Sequence, residues 1–204
     1  MKRASWIPLA LATWCILAFG ASPVYELAER RTNSDVRPRR LHKLIVIAIS
    51  DDREVRNRFE DKFVTHLKGK GFDALISHEL VPDLTKPADR QSVLDALGRE
   101  KVDGALTVRA VSLDDVGEAA WSAAWASWAD APSTVRDLVR STVPVAKKKA
   151  KMYGVELALW DDEASQPLWA ARTSPVSIRD LKAGVSDLLR LTMEALKDTP
   201  WLGP

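Results

Sequence analysis

The chain of 204 residues reads as an α/β protein: three parallel-type strands with crossover helices, a C-terminal antiparallel hairpin and a closing helix. Three observations predict this. "KLIVIAIS" at 43–50 is an unbroken apolar run rich in isoleucine and valine, as a strand covered on both faces requires. The next stretch switches to helical period, with Val55, Phe59, Phe63 and Leu67 four apart on one face. Strand then alternates with helix twice more, the pattern of crossover connections in a parallel sheet.

Each element has a local reason. Asp51 or Asp52 can cap the first helix, and Gly69 or Gly71 can end it. "FDALIS" forms a second strand and "DRQSVLDALGRE" a second helix, with Val93, Leu94 and Leu97 inward. "DGALTVRAVSL" is the third strand. After an insert at about 117–150, "YGVELALW" and "PLWAART" flank the polar "DDEASQ", a hairpin turn. Val155, Leu157 and Leu159 alternate with Glu156 and Ala158, so one face of that strand is buried. The closing helix carries Leu181, Val185, Leu188, Leu189 and Leu196 inward.

The N-terminal residues 1–21 read as a signal peptide or membrane anchor. Lys2 and Arg3 precede an uncharged, mostly apolar run, and Ala18-Phe19-Gly20 offers small residues for cleavage before Ala21. The run is shorter than the roughly 20 residues of a spanning helix. Cys15, the one cysteine, follows Trp14, which does not fit the small-residue rule for lipidation. Removing the segment leaves no cysteine, so packing alone must hold the fold. Residues 22–41 are polar and read as a flexible linker, and 42–204 as one α/β domain.

Lys2 and Arg3 are two of the 30 basic groups, so without the leader the chain carries 28 basic and 28 acidic residues. That balance argues against nucleic-acid binding. Arg37, Arg39 and Arg40, and Lys147 to Lys149 with Lys151, are the basic runs; solvation explains them, and anionic lipid headgroups are the alternative.

No catalytic set assembles. "KLIVIAISDDREVRNRF" is similar to the opening of a response-regulator receiver domain, whose acidic pair holds magnesium. The phosphate-accepting aspartate is missing, because Val108 occupies its place and Asp114 and Asp115 come too late. His42, His66 and His78 lack ligand partners at helical spacing, so neither a metal site nor a cofactor is expected. The polar residues at the carboxyl ends of the strands, Ser50, Asp51, Asp52, Ser77, His78 and Arg109, mark the edge where open α/β sheets take ligands.

With these elements placed, three pieces resemble a family of uncharacterised bacterial envelope proteins, many of them lipoproteins: "LIVIAISDD", "NRFEDKFVTHLKGKGFDALISHELVP" and "VELALWDDEASQPLWAARTSPV". The second runs from an Arg-Phe-Glu helix to a strand ending near Ser-His. The resemblance implies an α/β domain like those of periplasmic assembly and secretion factors, without known catalysis. The chain lacks that family's acylatable cysteine, and the resemblance does not explain the 117–150 insert. Within the insert, Trp121, Trp125 and Trp128 span roughly a 60° arc of a helix. They can close an open sheet face, dock a partner, or lie at a membrane interface, though the helix lacks the basic residues interfacial helices carry. The expected function is thus an exported, non-catalytic binding or assembly module of the envelope, in the periplasm, soluble or tethered by an uncleaved N-terminal segment. Its partner would be another envelope protein or a second copy, with membrane-surface contact open. A small-ligand binder or enzyme at the carboxyl edge is the competing class.

Overall fold

The computed structural model describes residues 25–37, 39–50, 52–81, 84, 87–117, 137, 139, 151–161 and 166–202. The leader, Asp51 and all three tryptophans of the insert lie outside the described residues.

A seven-stranded mixed sheet organises the chain. In chain order its elements are β1 (Leu27–Thr32), β2 (Lys43–Ile49), α1 (Arg53–Gly69), β3 (Asp73–Ile76), α2 (Ser77–Leu80), α3 (Pro87–Arg99), β4 (Gly104–Ser112), α4 (Leu113–Val116), β5 (Met152–Asp161), β6 (Trp169–Thr173), β7 (Val176–Ser177), α5 (Ile178–Ala183) and α6 (Val185–Leu196). The strands run β1-β6-β5-β4-β2-β3, with β7 paired to β5. β3, β2 and β4 are parallel to one another, and the pairs β4–β5, β5–β6 and β6–β1 are antiparallel.

Alternation along β2 explains its unbroken apolar run. Leu44, Val46 and Ala48 enter one core with Val55, Phe59, Phe63 and Leu67 of α1 and Val185, Leu188 and Leu196 of α6. Ile45, Ile47 and Ile49 enter a second core with Val93, Leu94 and Leu97 of α3. β5 divides likewise: Val155, Leu157 and Leu159 face the first core, while Trp160 fills the second and donates its indole N–H to Thr107 Oγ1 at 2.9 Å. Val139 of the insert is buried in that second core.

Three expectations need correction. The segment 22–41 is not a free linker throughout, because Leu27–Thr32 pairs antiparallel with β6 from Trp169 to Thr173. Its sequence, LAERRT, lacks apolar alternation because an edge strand needs little of it, and charge on an edge discourages pairing with other chains. The closing helix is two helices broken at Gly184. A Cβ there would stand 2.2 Å from Tyr25 Cε2, so the ring of Tyr25 takes the space of a side chain. Tyr25 is itself buried and its hydroxyl donates to the Leu181 carbonyl at 3.2 Å. Burial, followed by the charges of Asp180 and Asp187, raises its ionisation far above the ordinary tyrosine range and keeps it a donor. The strand expected over 72–77 also stops at Ile76, where α2 begins.

Gly104 opens β4 where a Cβ would meet the Trp160 carbonyl oxygen at 2.6 Å and Leu41 Cδ1 at 2.8 Å. Gly104→Ala should lower stability by about 1–3 kcal/mol, the usual cost of overpacking, as a shift of the urea midpoint. Gly98→Ala, in α3 with open space around its Cβ position, should instead raise stability by roughly 0.5–1 kcal/mol.

Candidate functional site

The sheet brings Ser50, Asp52, Ser77 and His78 to the carboxyl ends of β2 and β3, and places Arg109 opposite Ile49 on β4. Their side chains do not converge on one point. They belong to three separate networks, each tied to a different part of the fold.

Asp52 is the N-cap of α1: one carboxylate oxygen accepts from the Glu54 and Val55 amides at 3.0 and 3.2 Å. The other meets Lys182 Nζ of α5 at 2.7 Å. Burial pushes its ionisation up, but the Lys182 and amide hydrogen bonds outweigh that and hold the carboxyl below its ordinary range. Ser50 Oγ accepts from the Asp52 amide at 3.2 Å and braces the same turn.

Ser77 and His78 close on Glu60, a carboxylate with no solvent exposure on the inner side of α1. β3 ends opposite Val46, so beyond that point β2 has lost its neighbour on this side. Glu60 Oε1 takes up the Ala48 amide there at 2.9 Å, and accepts also from Ser77 Oγ at 2.7 Å and Arg56 Nε at 3.1 Å. Oε2 accepts the His78 amide at 2.6 Å and lies 2.9 Å from its Nδ1. Arg56, itself buried, continues to the Val81 carbonyl at 2.8 Å. The outer nitrogen of His78, Nε2, stands 3.4 Å from Asp61 on the exposed side of α1. Thus the Ser-His pair and the glutamate of the Arg-Phe-Glu stretch form one unit. Glu60 itself was missed, although four-residue spacing from Arg56 on the buried face was a visible sign.

Arg109 belongs to a cross-strand row. Register places Arg109, Glu156, Arg172 and Glu29 side by side on β4, β5, β6 and β1. Glu156 accepts from Arg109 Nε at 2.6 Å and from Arg172 Nε at 3.0 Å. Opposite charges on neighbouring strands let Glu156 satisfy Arg109 and Arg172 at once. Farther along, Arg39 holds the buried Asp161 with two hydrogen bonds of 2.6 and 2.7 Å. Among the described residues, no group of three histidine, cysteine or acidic side chains could hold a metal ion.

Glu60→Ala should cost roughly 3–5 kcal/mol in chemical unfolding, because it leaves the Arg56 guanidinium buried without its counter-charge. Asp52→Ala should cost about 1 kcal/mol at neutral pH through loss of the cap. Since the folded carboxyl of Asp52 sits below its unfolded value, its contribution is complete above about pH 4 and is lost as pH falls through the folded value. Melting curves of wild type and Asp52→Ala should therefore draw together in acid.

No protein-family model and no curated protein matches the chain. Among solved structures it is similar to the PelC dodecamer from Paraburkholderia phytofirmans, at 12% identity over 86% of this chain and 96% of that one, with a TM-score of 0.42. A leucine-to-methionine variant of the same PelC dodecamer matches at 11% identity over 82% of this chain and 96% of that chain, with a TM-score of 0.40.

Proposed function

We propose that the protein is an exported, non-catalytic module of the bacterial envelope that acts by binding another envelope protein or a second copy of itself. The observation that carries this reading is the commitment of Asp52, Ser77, His78 and Arg109 to internal partners in three different networks. Nucleophilic or acid–base chemistry needs groups that converge on a reacting atom. These four instead fasten helix to strand and strand to strand. The basic start and apolar run of the leader supply the case for export.

The insert is the favoured contact surface. Val139 packs into the second core, so the 117–150 segment is joined to the α3 side of the sheet at that point. Trp121, Trp125 and Trp128 belong to the same segment, and tryptophan is enriched where interfaces concentrate their binding energy. An enzyme at the carboxyl edge is the weaker alternative, since its candidate residues are distributed among separate pairs.

Crosslinking in intact cells, followed by fractionation and mass spectrometry, tests the proposal. The expected result is recovery outside the cytoplasm, crosslinked to one envelope protein or to itself, with loss of the adduct on replacing Trp121, Trp125 and Trp128 by alanine. A cytoplasmic, leader-bearing, uncrosslinked monomer would overturn it.

A further inference from the structure

A groove of ≈ 740 Å³ lies on the opposite side of the sheet from α3, between the carboxyl end of α1, the start of β3 and the outer face of α6. Phe72, Leu189, Met193 and Leu202 give it an apolar lining. Arg40, Lys70 and Lys197 stand around it, and none of the three has an ion-pair partner among the described residues. Glu194, the one acid of the lining, is paired with Arg190 at 3.5 Å. Lys70 and Lys197 are the C-caps of α1 and α6, where a cation complements the helix dipole. Two helix ends and the Arg40 loop therefore bring to one apolar trough three positive charges without a carboxylate partner among the described residues. Arg40 also stacks over Phe72, its Cζ 5.8 Å from the ring centre, so cation and apolar wall are already in contact.

We propose that this groove binds a single anionic amphiphile, a phosphate or carboxylate head on an apolar chain. The head would sit among Arg40, Lys70 and Lys197, and the chain along Phe72, Leu189 and Met193. Charge complementarity selects the head: three cations flank the apolar trough, and its one acid is paired with Arg190. The concave apolar lining selects one inserted chain over a flat bilayer surface, and the volume lies within the roughly 300–1,000 Å³ of small-ligand pockets.

His66 supplies a reporter inside the groove. Burial, and then the charge of Lys70, hold its imidazole below the ordinary range, and a bound anion should raise it.

Calorimetric titration of the full chain with monomeric monododecyl phosphate is the test. Saturable binding of one molecule per chain is expected, together with an upward shift of the His66 titration followed by NMR. Dodecyl maltoside and inorganic phosphate, tail without charge and head without tail, should not bind. Lys70→Glu combined with Lys197→Glu should weaken binding by at least about tenfold, with a native circular-dichroism spectrum and a melting temperature lowered only by the lost helix-dipole contacts. Lys68→Glu, exposed on α1 but outside the groove, should leave affinity intact. Equal binding of dodecyl maltoside, indifference to the double reversal, or an equal loss with Lys68→Glu would overturn the proposal. So would binding confined to phosphatidylglycerol vesicles or to an acidic peptide.

Discussion

A carboxylate withdrawn completely from water needs most of its lone pairs occupied, because desolvation otherwise costs several kcal/mol per ion. Glu60 meets that demand with five partners at once: the β2 backbone, Arg56 one helical turn away, and the hydroxyl, amide and imidazole of the α2 turn. The consequence is geometric. β3 can be short because a side chain takes over where its backbone departs, and α2 can begin at once because its first turn is pinned to α1. The carboxyl edge of the parallel strands is therefore built around this ion. It ties α1 to the β2 backbone beside the apolar core and fixes His78 and, through Arg56, Val81.

The fold was legible wherever burial imposes a period. β2, α1, α3 and β5 announced themselves because their buried faces recur every second residue or about every four, and their apolar residues obey that spacing. β1 did not. Its contribution is backbone hydrogen bonding to β6, and LAERRT carries no trace of that in its side-chain pattern. The break at Gly184 was hidden for a related reason: it depends on Tyr25, some 160 residues earlier in the chain. Local sequence reports what a segment buries and says little about what occupies the space beside it.

The same distinction separates the edge residues from the groove. Asp52, Ser77 and His78 stand just beyond the ends of β2 and β3, whereas Arg109 lies inside β4, level with the end of β2. Their partners Lys182, Glu60 and Glu156 come from distant segments, and those partners convert apparent reactive groups into fasteners. Arg40, Lys70 and Lys197 are far apart in sequence, and only the meeting of two helix ends with one loop brings them together. Of the site, sequence position revealed which residues reach the edge, and the tertiary pairing determines which charges meet a carboxylate.

The pairing of β1 with β6 also decides what the far side of the sheet offers to other chains. β6 has β5 on one flank and β1 on the other, so while Leu27–Thr32 stays in place its backbone is paired along both edges. Were β1 peeled away, the buried run Trp169–Thr173 would lie bare, a template on which a foreign strand could add.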